Sequence, residues 1–325
     1  MERFAYLLSI LVVAALPCCG AAADSPPAPH KTDVGLDINE PRSDARRIAF
    51  DATEGTWMSV DVSPDGRSLV FDLLGDIYTL PIAGGEARAV TTGPAFDSHP
   101  RYSPDGRTIA FTSDRGGIDN VWLMDADGKN PRPVTAEKDA FIRSAAWTPD
   151  GNYLIARKQD GKRAGIPPVE LWVYHREGGG GIKLTSSDDW QSAGGAAVSR
   201  DGRYVYFSVR ARKFSYIPEL QDGLWQILRF DRNTSQTLSI ASGFGGAARP
   251  AISPDGKMLV YVARRDDDSV LVARNLGTGA ERILVRPVTR DEQEGFTQLD
   301  VWPNYAFTPD GAAVVYANRG KLMRL

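Results

Sequence analysis

One turn is written six times in this chain. Ser63-Pro64-Asp65-Gly66-Arg67 recurs unchanged at 103–107, and looser copies begin at Thr148, Ser199, Ser253 and Thr308. Its aspartates fall at 65, 105, 150, 201, 255 and 310. A period of roughly 40–55 residues denotes stacked supersecondary units, none of which buries its apolar face alone. Proline presets φ for the first central position of a type I turn, aspartate suits the second, and glycine takes the left-handed position that closes a hairpin with a bulge. Asp65, Gly66, Asp105, Gly106, Asp150, Gly151, Asp201, Gly202, Asp255, Gly256, Asp310 and Gly311 are therefore expected to build turns and not to bind ligands.

Each repeat reads as four strands. In the first, Met58–Ser63 enters the turn, 67–74 (RSLVFDLL) and 76–82 (DIYTLPI) follow, and 86–92 (EARAVTT) completes the unit. Alternation with β-branched and aromatic enrichment supports each strand. The sixth unit stops after its third strand, at Leu325. Residues 44–55 (DARRIAFDATEG) resemble the fourth strand and exit of the first unit, 86–97 (EARAVTTGPAFD). The expected fold is all-β: a six-bladed β-propeller of four-stranded antiparallel blades over 44–325, its last blade closed by this N-terminal strand, with Ile48 and Phe50 packed into it.

Residues 1–23 read as a signal peptide, with Arg3, an apolar run from Phe4 to Leu16 too short for a membrane span, and Ala21-Ala22-Ala23 before the cut. The expected location is periplasmic or secreted, with no transmembrane span after cleavage. Acylation of Cys19, giving a lipoprotein, is the alternative. Residues 24–43 are proline-rich and polar, a flexible tether. Both cysteines, Cys18 and Cys19, precede the tether, so cleavage leaves no thiol chemistry. The net charge of −3 argues against nucleic acid as a partner.

The units resemble the Pro-Asp repeats of TolB-like propellers, and 111–135 (FTSDRGGIDNVWLMDADGKNPRPVT) is particularly similar. Residues 54–87 (EGTWMSVDVSPDGRSLVFDLLGDIYTLPIAGGEA) resemble the first propeller of long exported bacterial amidohydrolases. That resemblance implies a hydrolase context: an accessory propeller of a metal-dependent amidohydrolase, truncated or split. No catalytic position of such a domain has a counterpart here.

The residues themselves carry little chemistry. The histidines are His30, His99 and His175, without a His-x-His or His-Glu-x-x-His pair, and there is no Gly-x-Ser-x-Gly elbow. No catalytic, cofactor or metal residue is assigned. Asp125-Ala126-Asp127-Gly128 hints at a calcium loop, and 266–268 is an acidic tip; both read more simply as solvated hairpins. The long insertions 158–170, 210–223 and 286–300 all fall on the face opposite the repeated turns, where binding function concentrates. Six residues before each turn aspartate stand Ser59, His99, Ser144, Gly195, Arg249 and Asn304; four before it stand Asp61, Arg101, Ala146, Ala197, Ala251 and Ala306. The alanines suit crowding at an axis, and Asp61 with Arg101 suggests an ion pair. His99 and Arg249 at the channel mouth, with Tyr216 and Phe296 on the insertions, are the expected ligand or partner face. The leading functional reading is an exported docking module without its own active site, binding a protein, a peptide, or a fused or adjacent hydrolase domain. The amidohydrolase accessory propeller is the alternative, and the propeller of a prolyl-oligopeptidase-like serine peptidase is a third.

Overall fold

The computed structural model describes residues 38–40, 46, 48–162, 168–186, 192–210, 224–290, 300 and 302–325. The signal-peptide, lipid-anchor and nearly all of the tether expectations lie outside them. Blade one is β1 (Val60–Val62), β2 (Ser68–Leu73), β3 (Asp76–Pro81) and β4 (Arg88–Ala89). Blade two is β5 (Asp97–Tyr102), β6 (Thr108–Ser113), β7 (Asn120–Asp125) and β8 (Arg132–Pro133). Blade three is β9 (Ala140–Trp147), β10 (Tyr153–Asp160), β11 (Val169–His175) and β12 (Ile182–Lys183). Blade four is β13 (Ser192–Val198), β14 (Tyr204–Arg210), β15 (Trp225–Asp231) and β16 (Gln236–Ala241). Blade five is β17 (Ala248–Ile252), β18 (Met258–Arg265), β19 (Asp268–Asn275) and β20 (Glu281–Arg290). Blade six has β21 (Ala306–Phe307), β22 (Val314–Asn318) and β23 (Lys321–Arg324). All are antiparallel meanders; a single parallel pair, Val169 with Ser192, joins blades three and four.

The first strands form the inner ring. β1 neighbours β5, then β9, β13, β17 and β21 follow in turn, and β21 returns to β1. Six apolar clusters occupy the six seams, each drawing on two adjacent blades. The closing seam sets Val60, Leu69 and Phe71 of blade one against Ala306 and Val315 of blade six. Each of the larger side chains, Val60, Leu69, Phe71 and Val315, contributes about 1.5–3 kcal/mol on burial.

The repeated turn does two jobs. Within a blade, Ser63 Oγ donates to Asp65 at 2.6 Å and accepts the Ser68 N–H at 2.9 Å, while Asp65 also accepts the Arg67 N–H at 3.0 Å. The other five turns repeat this pattern. Between blades, a Cβ on Gly106 would stand 3.4 Å from Pro64 Cδ, and one on Gly66 would stand 3.6 Å from Pro309 Cδ. The prolines and glycines thus meet around the ring, blade six against blade one included. The series breaks at Gly256, which has no such neighbour, because Arg200 stands where the preceding blade would supply proline.

Among the described residues, no N-terminal strand joins blade six. Residues 48–50 belong to no strand, and Ile48 and Phe50 are 68% and 67% exposed. The physical reason lies in the register. Aligned on blade one, Arg46 would face Arg324 directly, and like charges opposite each other destabilise a strand pair. Ala49 would replace Thr91, whose hydroxyl accepts the Ile77 N–H at 2.8 Å; Thr135 and Thr185 latch blades two and three likewise. The chain instead reaches blade six at its hairpin, where Gly55 N–H donates to Gly320 O at 2.9 Å and Lys321 Nζ to Thr53 O at 2.7 Å. The long insertions also begin later than the sequence suggests: β10 runs to Asp160 and β20 to Arg290.

A polar clasp ties the inner strands. Seven residues after each turn aspartate, β2, β6 and β14 carry Asp72, Thr112 and Ser208. These accept the N–H of His99 (2.7 Å), Ser144 (3.1 Å) and Arg249 (2.7 Å) in the next blade. Those three residues have φ of 53°, 52° and 58°, and each sits in a bulge of its inner strand. The bulge turns an N–H that would point along the ladder toward the neighbouring blade.

Two outcomes follow. Deleting residues 44–51 should move the melting temperature by no more than about 2 °C, because the described residues of the segment are exposed and belong to no strand; a larger fall or new oligomers would show that the segment closes the ring. Asp72 is pushed up to about 7 by burial, against the N–H bonds from His99 and Ser59. A carboxylate with a raised folded-state value binds more protons folded than unfolded, so it costs stability as pH climbs from its ordinary 3.8 toward 7. In chemical denaturation at several pH values, Asp72→Thr should therefore gain on the wild type across that window, and a constant difference would refute the argument.

Candidate functional site

The axis is polar where the seams are apolar. His99 and Arg249, the candidates for the channel mouth, are both buried, 6% and 4% exposed. Arg249 is not a free ligand arm. Its Nη1 donates to Asp300 Oδ1 at 2.5 Å, and its backbone carbonyl accepts the Tyr305 hydroxyl. Gly194 and Gly195 make room for this pair: a Cβ on the first would meet the Asp300 carboxylate at 3.2 Å, and one on the second would meet Arg249 Cδ at 3.0 Å. Burial pushes the Asp300 carboxyl up, but Arg249, Arg157 and His99 outweigh it and hold the group below its usual value. Asp300 was not legible as an axial residue, since it ends an insertion that carries no spacing signal.

His99 is different. Neither ring nitrogen has a partner. Burial, then the Arg249 charge, pushes its pKa down to about 3, so the imidazole is neutral at physiological pH. It lines a cavity of about 550 Å³ between blades one and two, a volume within the range of ligand clefts. Ser59, Asp72, Thr112 and the Arg143–Asp119 ion pair (2.5 Å) share this lining, and Trp57, Leu73, Leu74 and Phe96 form its apolar part. Leu74 and Phe96 are 72% and 59% exposed. The cavity opens where the β2–β3 loop and the β4–β5 link emerge, on the face opposite the repeated turns. Beside it a second cavity of about 240 Å³ is lined by Trp57, Trp302, Tyr305 and Tyr316, with Trp57 and Trp302 edge-on at 5.8 Å.

Sequence reasoning missed Trp57, Leu74, Phe96 and Asp72. The last had a signal: a lone carboxylate within an otherwise apolar strand. At the turn end of the axis, Arg101 Nη1 and Asp61 Oδ1 stand 3.5 Å apart, the expected pair, and the four alanines line the same small cavity. Tyr216 and Phe296 lie outside the described residues. Of the remaining candidates, His175 is an exposed hairpin residue whose Nδ1 accepts the Glu177 N–H at 3.2 Å. Lys129 Nζ lies 2.6 Å from Asp127, and Arg286 reaches both Asp266 and Asp268 at 2.8 Å, supplying the acidic tip with its cation.

Comparison with known proteins supports this architecture. Residues 57–166 match the model of the tricorn protease N-terminal β-propeller domain. The uncharacterized peptidase YuxL of Bacillus subtilis (strain 168) is 26% identical over 220 residues, 67% of this chain and 29% of that one. The chain thus spans less than a third of this curated relative. A TolB-type protein from Agrobacterium tumefaciens superimposes with TM-score 0.62 at 22% identity, covering 82% of this chain and 90% of that one. TolB from Acinetobacter baumannii gives 0.62 at 20%, with 82% and 60% covered. Among the described residues no helix is long and apolar enough to cross a membrane. With its six blade seams, repeated turns and these matches, the chain has a β-propeller fold similar to those of the TolB structures and, over residues 57–166, to the tricorn N-terminal propeller.

Proposed function

We propose that this propeller is an exported docking module that captures a protein or peptide on the face opposite the repeated turns. The observation that carries the reading is the cavity of about 550 Å³ on that face, with unpartnered His99 in its lining and Leu74 and Phe96 exposed on its wall. Exposed aromatic and aliphatic residues around a polar pocket are the composition of interface hot spots. The turn face carries six near-identical hairpins and offers little to discriminate one partner from another. A second reading is favoured by the alignment with a peptidase more than twice as long: the propeller serves a hydrolase domain, in the same chain or beside it, by guiding substrate across this face. The amidohydrolase context rests on the resemblance of residues 54–87 alone.

Two measurements separate binding from scaffold. Peptides selected from a random library on the wild type should lose about tenfold or more in affinity for the Leu74→Ala, Phe96→Ala double variant, a loss of about 1.4 kcal/mol or more. Lys129→Ala on the turn face should leave them unchanged; the reverse pattern would put the functional face on the wrong side. Arg249→Ala should act on stability and not as a contact loss, because it strands Asp300 in the interior. A loss of about 3–5 kcal/mol is expected, and a melting temperature like that of the wild type would show Arg249 to be a ligand residue instead.

A further inference from the structure

The six repeats allow each blade to be compared with the others at the same register. Eight residues before the turn aspartate stand Trp57, Ile142, Ala193, Ala247 and Trp302 in five blades, and Asp97 in blade two. Asp97 is 2% exposed. Its Oδ2 meets Arg115 at 2.6 Å, and its Oδ1 has no partner. At the first position of the third strand, blade two has Asn120, whose amide oxygen accepts from Thr135 Oγ1 and the Glu137 N–H and whose amide nitrogen donates to the Ile118 and Glu137 carbonyls. Blade one has Asp76 there, with a buried Oδ1 lacking any partner.

These two departures meet. The Asp97 N–H donates to Gly75 O at 2.7 Å, next to Asp76, and the proximity of the two carboxylates, after burial, raises Asp76 to about 6. Asp72, Asp97 and Asp119 line the cavity, and Asp76 adjoins it through Gly75. Arg115 and Arg143 are paired with Asp97 and Asp119, and Arg249, whose charge also reaches Asp72 and His99, is paired with Asp300, so Asp76 has no cation against it in an ion pair among the described residues. His99 adds a neutral ring with an open acceptor and no charge to repel a cation. Trp57, Leu74 and Phe96 supply apolar surface at the entrance, where a long side chain lays its methylenes.

We propose that the cavity between blades one and two receives a basic side chain, an arginine or lysine, of the partner polypeptide. The stem lies along Leu74 and Phe96, and the cationic head takes the open acceptors of Asp97, Asp76 and His99. This assignment rests on the docking reading and names the chemistry that the site selects.

The test is an NMR titration of the isotope-labelled chain with Nα-acetyl-arginine amide and Nα-acetyl-lysine amide. The citrulline amide serves as a neutral isostere and the glutamate amide as an anion. One of the cationic probes should shift the Gly75, Phe96 and His99 amides with a Kd on the order of a millimolar, the range for a ligand of this size. Citrulline should bind about tenfold more weakly, and glutamate should not saturate. Asp97→Asn also breaks the Arg115 ion pair, so Asp76→Asn, which touches no ion pair among the described residues, carries the argument; it should weaken the cationic probe about tenfold with the melting temperature kept. Equal binding of citrulline, or no shift at these amides, would overturn the assignment. If library peptides still lose affinity on Leu74→Ala, Phe96→Ala in that event, the docking face stands and its cation chemistry falls. If they do not, both fall.

Discussion

Every blade depends on its neighbours for burial. A four-stranded meander has two faces, and in this ring each is covered by the adjacent sheet, with one apolar cluster per seam. The arrangement is stable only when the last seam forms, because an open ring would leave two sheet faces in water. Here that seam is made by packing Ala306 and Val315 against Val60, Leu69 and Phe71, and by the Gly55–Gly320 hydrogen bond. No strand is exchanged between the ends among the described residues. The outer edge of β23 is left with Arg324 and Lys321 on it, and charges of that kind discourage further strand pairing.

Burial by seams leaves the axis to polar groups, and the bulged inner strands put it to use. Positive φ at His99, Ser144 and Arg249 turns backbone N–H groups onto Asp72, Thr112 and Ser208. The clasp stiffens the ring and orients the side chains at the same positions. In one blade the oriented side chain becomes scaffold, Arg249 on Asp300; in another it remains open, His99 toward the cavity. A single structural device thus yields a brace on one side of the axis and an open cavity lining on the other.

Much of this was legible before any coordinates. The period and the proline-aspartate-glycine turn specified a propeller, and the turn residues took the predicted conformations, with glycine φ near 70° at all six sites. The Asp61–Arg101 pair and the axial alanines followed from simple alignment of the repeats. The alignment failed at residues 44–51 because similarity of pattern ignores what stands opposite. Arg46 against Arg324 and the missing threonine hydroxyl are properties of a pair of strands, not of one. The cavity wall was missed because Leu74 and Phe96 sit in a short loop and a link, where apolar residues have no period to betray them.

The sequence by itself determined the repeat, the turn geometry and the all-β class, since these depend on contacts within a few residues of each other. Only the tertiary structure decided which polar residues are braces and which face open space. His99 and Arg249 occupy the same register in different blades and were indistinguishable along the chain. What separates them is Asp300, brought from an insertion 51 residues beyond Arg249 onto its guanidinium, while no group is brought onto the His99 ring.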